Sequence, residues 1–221
     1  MRDEQGFASP FHSEDDAARA CAIEIADKLA RAHRARGRSV LAICGGRSAA
    51  LVLQHLQIER ATTVIATDER WLPLDSAERN DQLLGRHFGE SSVVRLPYTG
   101  EVVEDADTWA GHLWAIGTPD VALLSMADDG HVASLFPQHE SLHACSPIII
   151  ERHSPKIPLV RVSFSIAMIR RIPNRLVMAI GNEKAPMIDQ LRQGHDVPAT
   201  RIKPTRWYLD SAASSANGGG R

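Results

Sequence analysis

The sequence predicts an α/β fold, a mostly parallel sheet with helices on both faces, and three observations carry that expectation. Short apolar runs, several of them β-branched, recur at residues 39–44, 61–67, 120–126 and 175–180, as strands buried on both faces of a parallel sheet do. Segments of helical character separate most of them, the alternation expected of βαβ units. The 221 residues, 43% of them apolar, suffice for a full core and fit one domain over 1–221 better than two small ones.

Ser13 followed by Asp16 has the spacing of a helix start. Ala17, Ala20, Cys21, Ile23, Ile25, Leu29 and Ala32 then supply apolar positions, and Gly37 ends the helix. Residues 39–44 read as the first strand, Gly45-Gly46 as its turn and residues 48–56 as the next helix. The β-branched run 61–67 is a second strand, ending at Asp68-Glu69-Arg70. Helical character follows at 79–88 and 105–116, where Trp109 and Leu113, four apart, are expected in the core and Trp114 only partly buried. The strand 120–126 is broken by Asp128-Asp129-Gly130. Further strands are expected at 146–150, 159–164 and 175–180, a helix at 183–193 closed by Gly194, and a short strand at 207–210. Residues 211–221 read as a flexible tail.

A net charge of −2 argues against a nucleic-acid binder, and no N-terminal apolar run or spanning stretch suggests export or a membrane. A cytoplasmic location is therefore expected. Cys21, Cys44 and Cys145, odd in number and widely spaced, read as reduced thiols, with Cys44 a buried strand-end residue.

Ligands of open α/β sheets bind beyond the carboxyl ends of the strands, so the residues that follow the strands are the candidate site. Gly45, Gly46, Arg47 and Ser48 join a strand to a helix, where bare N–H groups and the helix N-terminus favour an anion such as phosphate. Arg70, after the second strand, offers a planar fork of donors. Asp129, Gly130 and His131 place a carboxylate and an imidazole at one turn, a combination able to activate water. Lys184, after Gly181, can reach back over the strand ends as a point charge. Residue chemistry alone leads to a hydrolase or isomerase of a phosphorylated small molecule.

The stretch Leu124-Ser125-Met126-Ala127-Asp128-Asp129-Gly130-His131-Val132-Ala133-Ser134-Leu135-Phe136-Pro137 resembles the 6-phosphogluconolactonase family, whose members carry a sequence close to L-G-M-G-x-D-G-H-x-A-S-L-F-P. Ser125 and Ala127 replace two of its glycines. Glucosamine-6-phosphate deaminases share the fold but continue after Asp-Gly-His toward F-N-E-P, so Ser134 to Pro137 place the chain on the lactonase side. The resemblance extends to Gly45-Gly46 with Ser48, to Asp68-Glu69-Arg70, to Asn80 (preceded by Arg79 in place of the family's serine), to Arg161 in R-V-S and to Lys184 in G-x-x-K. It implies a Rossmann-like fold of the sugar-phosphate isomerase type and hydrolysis of 6-phosphoglucono-1,5-lactone to 6-phosphogluconate in the pentose phosphate pathway. It also implies a small-molecule substrate and no cofactor or metal. In that reading His131 is the base, Asp129 orients it, Arg70 and Lys184 hold the phosphate with the Gly45-Gly46 loop and Ser48, and Asp68, Asn80, Gly130 and Arg161 line the cleft. The replacements Ser125, Ala127 and Arg79 leave open a catalytically weakened sugar-phosphate binder. A rival motif, His139-Glu140-Ser141-Leu142-His143, satisfies the zinc-protease pattern H-E-x-x-H, but Pro137 and Pro147 leave little room for the helix that pattern needs.

Overall fold

The computed structural model describes residues 7, 9–59 and 61–215. Helix α1 (Glu14–Arg36) starts where Ser13 accepts from the Asp16 N–H and ends at Gly37, which adopts the left-handed conformation, so both local signals act as expected. Its buried face is Ala17, Ala18, Cys21, Ala22, Ile25, Leu29 and Ala32. Ile23, assigned to that face from its apolar side chain, points outward instead and is 65% exposed.

Six strands form the parallel sheet: β1 (Ser39–Ile43), β2 (Thr62–Ala66), β4 (Val93–Val94), β5 (Val121–Ser125), β8 (Asn174–Ala179) and β9 (Arg206–Leu209), of which all but the two-residue β4, too short to show a period, were expected. In space they run β4-β2-β1-β5-β8-β9. The chain grows outward from β1 in one direction and from β5 in the other, so the crevice between the carboxyl ends of β1 and β5 is the topological switch point. Helices α2 (Gly46–His55), α3 (Asn80–Phe88), α4 (Val102–Ile116) and α6 (Ala185–Arg192) complete the α/β arrangement. Trp109 and Leu113 are buried as expected, whereas Trp114 is 64% exposed. The buried apolar residues form one continuous cluster that spans the sheet and its flanking helices.

Asp68-Glu69-Arg70 is not the end of a strand but a strand of its own, β3 (Asp68–Arg70), in a second, antiparallel sheet of order β3-β7-β6 with β6 (Ile148–Glu151) and β7 (Arg161–Phe164). Three residues are too few to show a period, and their pairing partner lies more than ninety residues away, as Asp68↔Ser163 shows. The short helices α5 (Ile166–Arg171), α7 (Pro198–Arg201) and α8 (Ser211–Ser214) were not signalled. Helix α8 corrects the expected tail: Asp210 caps it, Ala213 is buried, and Ser211 donates to the Phe11 and His12 carbonyls. The rest of that tail, 216–221, lies outside the described residues. The helix expected at 183–193 begins as a 3-10 turn (Asn182–Lys184), with Pro186 at the start of α6.

No helix of the described residues is long and apolar enough to cross a membrane. All three cysteines are free, and burial pushes the Cys44 thiol up to about 12, which keeps it protonated and inert.

Candidate active site

The turn from β1 into α2 places Gly45 at the helix N-cap and gives Gly46 a φ of 84°, in the left-handed region. Helix α2 thus begins two residues before Ser48. A side chain at Gly45 could not be accommodated, because its Cβ would lie 1.9 Å from Asn80 Oδ1. Asn80 is locked there: its Nδ2 donates to the Asp68 carbonyl at 2.7 Å and its backbone N–H to Glu69 at 2.8 Å. Across the switch point, Ser125 Oγ donates to Ser48 Oγ at 3.0 Å. Gly45, Gly46, Arg47, Ser48, Ser125 and Lys184 border an open cleft of about 200 Å³, lined also by Met126, Ala127 and the Glu183 carboxylate. Ser125 therefore supplies a hydroxyl where the resembling family has a glycine. Lys184 has no ion pair or hydrogen bond to its ammonium among the described residues, while Arg47 at the rim is tied to Glu14 at 2.7 Å and Glu183 at 3.8 Å. Amides, hydroxyls and one uncommitted ammonium at a helix N-terminus make this cleft suited to a phosphate.

The loop after β5 carries the second part of the site. His131 Nδ1 lies 2.6 Å from Asp129 Oδ1, which also accepts the His131 backbone N–H at 3.0 Å. Partial burial opposes ionisation of Asp129, but the hydrogen bonds from His131, together with the charges of His131 and Lys156, outweigh it and hold the carboxyl down at about 2. An ionised Asp129 accepts only, so the proton of the neutral imidazole sits on Nδ1 and Nε2 keeps its lone pair. The far end of the loop is anchored by Ser134, whose Oγ donates to Asp68 Oδ2 at 2.7 Å and whose backbone N–H donates to Ser163 Oγ at 3.2 Å. Phe136 is fully buried, its ring 4.6 Å from that of His131.

Gly130 is required for this geometry. It has a φ of 83°, and an added Cβ would meet Val197 at 2.8 Å. Gly130→Ala is expected to cost about 1–3 kcal/mol of stability from backbone strain plus the clash, read as a lower unfolding midpoint; an unchanged midpoint would show that the loop relaxes freely.

The second sheet places Arg70 and Arg161 directly opposite one another in the β3–β7 ladder, on the same face. Like charges so placed repel, and the two are committed differently. Arg161 is 6% exposed and donates to the carbonyls of Lys156, Ile157 and Pro158. Its burial pulls its pKa below the ordinary guanidinium value, the neighbouring Asp68 working against that. Arg161 therefore holds the 156–158 loop and does not border the Lys184 cleft. Arg70 donates to the Glu78 carbonyl, and its buried Nε has no hydrogen-bond partner. Arg70 does not border the Lys184 cleft.

Three residues to which the sequence assigned no role in the site organise the rest. Glu69, buried, accepts the N–H groups of Arg70, Asn80 and Asp81 and so joins β3 to the start of α3. Desolvation, with Asp81 nearby, raises its carboxyl to about 7 against the pull of Arg79 and the N–H donors. Arg79, the residue in place of the family's serine, is fully buried and binds Asp81 and the carbonyls of Leu72 and Leu96. Lys156, pinned through its carbonyl by Arg161 and Ser154, extends its ammonium to within 3.7 Å of Asp128, beside the dyad.

The raised Glu69 has a pH consequence. Between its ordinary value of 4.5 and about 7, the folded protein keeps a proton that the unfolded chain has released, so stability falls as pH rises through that window. The drop in unfolding midpoint from pH 5 to pH 7.5 is expected to be smaller in Glu69→Gln than in the wild type; equal drops would sink this assignment.

The H-E-x-x-H segment forms a 3-10 turn (Glu140–His143), not an α-helix, and His139 Nδ1 is engaged by Glu151 at 3.0 Å. The arrangement in which two histidines share one α-helical face is not formed.

Residues 12–210 match the profile of the glucosamine-6-phosphate isomerases/6-phosphogluconolactonase family. A 6-phosphogluconolactonase of Pseudomonas putida is 32% identical over 201 residues, covering 82% of this chain and 81% of its own. One of Pseudomonas aeruginosa is 30% identical over 212 residues, covering 87% and 86%. The crystal structure of 6-phosphogluconolactonase from Thermotoga maritima aligns with a TM-score of 0.80 at 18% identity, over 90% of this chain and 98% of that one, a likeness of fold.

Proposed function

The chain belongs to the glucosamine-6-phosphate isomerase/6-phosphogluconolactonase family, and from that premise we propose that it hydrolyses 6-phosphoglucono-1,5-lactone to 6-phosphogluconate, a reaction of the pentose phosphate pathway. The observation that carries the reading is the Asp129–His131 pair, held at 2.6 Å in the loop that follows β5, with the Lys184 cleft at the end of the same strand. Within the family, Ser134 to Pro137 after Asp-Gly-His favour lactone hydrolysis over deamination, and the two Pseudomonas relatives carry the lactonase name.

The lactone's phosphate docks against the Gly45 and Gly46 amides, Ser48 and Lys184, which positions the ring over the dyad. His131 Nε2 takes a proton from water as the water oxygen attacks the lactone carbonyl carbon, and Asp129 stabilises the imidazolium that forms. The carbonyl oxygen gains negative charge, met by Arg70 and by Lys156. The tetrahedral intermediate collapses with cleavage of the bond to the ring oxygen, which receives the proton from His131 and leaves as the sugar hydroxyl. This scheme moves Arg70 from the phosphate, where the resemblance put it, to the lactone end, because it lies outside the cleft that Lys184 borders. Arg161 acts by holding the Lys156 loop.

The replacements that suggested a weakened binder do not disturb the dyad: Ser125 bonds Ser48, Ala127 lines the cleft and Arg79 is internal structure. The test is continuous detection of acid release from the phosphorylated lactone, protein against blank, with and without EDTA. Acceleration that survives EDTA is expected, since the scheme needs no metal; no acceleration over the blank would return the binder reading, and activity lost to EDTA and restored by zinc would overturn the metal-free scheme.

A further inference from the structure

A second cleft lies at the opposite end of the parallel sheet, about 17 Å away along five residues of β1 at the rise of a strand. It has a volume of about 370 Å³ and is bordered by Arg36, Arg38 and Arg171, with Thr118 and Asp120. These residues immediately precede β1, β5 and β8. Its charge is unbalanced: Asp120 is the one carboxylate on its border and is already bonded to Arg36 and to the Val40 N–H. Arg38 and Arg171 have no carboxylate partner among the described residues. In a chain whose net charge is −2, three guanidinium groups around one occupied carboxylate mark a place for an anion.

An apolar slot of about 110 Å³ opens beside it and shares Thr118 and Arg171 with it. Leu113, Trp114, Pro147 and Met168 form its walls, and Trp114 is 64% exposed with the Arg171 guanidinium 5.7 Å from its ring centroid. Arg38 lies near Gly117 on the edge of this slot, one of its terminal nitrogens 3.6 Å from where a Cβ of that glycine would stand. An aromatic platform joined through Arg171 to a cationic cleft calls for one kind of ligand, a flat ring system carrying phosphate. Free phosphate leaves the slot unused, and an apolar ring alone leaves the guanidinium groups without a counter-charge.

We propose that the cleft formed by Arg36, Arg38 and Arg171, with the adjoining Trp114 slot, binds a nucleoside phosphate, its phosphates on the arginines and its base against Trp114. The site is separate from the dyad and the Lys184 cleft, and the proposal stands whether or not the chain hydrolyses lactones.

Titration calorimetry of the full chain at low salt, with ADP, pyrophosphate and adenosine as probes, tests it. ADP is expected to bind one to one, more tightly than either part. The Arg38→Ala/Arg171→Ala variant should weaken ADP and pyrophosphate together by about tenfold or more, the effect of removing charge-assisted bonds. Trp114→Ala should weaken ADP and leave pyrophosphate unchanged. All three side chains are exposed, and lactone hydrolysis without ADP should match wild type in both variants. The proposal is overturned by absence of ADP binding, by binding that these variants leave intact, or by binding that Lys184→Ala abolishes, which would place ADP in the other cleft. Tighter binding of a single-stranded oligonucleotide than of ADP, lost in the same arginine variant, would equally overturn it in favour of a nucleic-acid surface.

Discussion

His131→Ala is expected to lower kcat for the phosphorylated lactone by about 10²–10⁴-fold, the usual contribution of a positioned general base, while leaving the affinity for the product 6-phosphogluconate nearly unchanged. The separation follows from the geometry. His131 does not border the cleft of Gly45, Ser48 and Lys184, so removing its ring takes away proton transfer without touching the phosphate anchors. The ring also rests on Phe136, so an unfolding midpoint is measured alongside to show that the variant is folded. Asp129→Asn is the companion experiment. An amide can hold the ring but does not oblige Nδ1 to carry the proton, so turnover should fall with the loop retained. An unchanged turnover number in His131→Ala, measured above the spontaneous hydrolysis of the lactone, would remove His131 from the mechanism.

Lys184→Ala should lower kcat/KM for the phosphorylated lactone by about 2–4 kcal/mol, the range for losing a charged partner from a phosphate, and change hydrolysis of unphosphorylated gluconolactone very little. Discrimination between the two substrates then collapses, because the phosphate is the charged handle of an otherwise neutral sugar lactone. Arg70→Ala gives the contrast. Arg70 lies in the β3–β7 ladder and not on the border of the Lys184 cleft, so its loss is expected to slow both substrates. Equal slowing of both substrates by Lys184→Ala would mean that the phosphate sits elsewhere, and a loss confined to the phosphorylated lactone in Arg70→Ala would return Arg70 to the phosphate.

Much of the candidate site is legible in the sequence because its parts are local in the chain. A glycine pair between a strand and a helix, and a carboxylate two residues from an imidazole behind an apolar strand, declare their backbone geometry in a few consecutive residues. Gly45 is more demanding than a turn requires, however, since what forbids its side chain is Asn80, thirty-five residues on. Arg161 matched a pattern yet spends its guanidinium on three carbonyls of the next loop. Lys156, two residues past Ser154 in an unremarked loop, carried no signal and reaches the dyad's neighbour Asp128. Nothing in the sequence marked Glu69 or Arg79 as buried, because a buried charge is recognisable only by the groups that neutralise and solvate it.

By itself the sequence determined the parallel sheet, the ends of α1, the anion-suited turn at Gly45-Gly46 and the pairing of Asp129 with His131, each a consequence of periodicity, capping or short spacing. Tertiary structure alone decided the antiparallel sheet, the opposition of Arg70 and Arg161, the anchoring of the loop after β5 by Ser134 on Asp68, and which cations remain open to a ligand. The division has one physical reason. Backbone conformation is biased by neighbours along the chain, whereas the partner of a buried charge or of a three-residue strand is chosen by desolvation and pairing between segments that meet only once the core has formed.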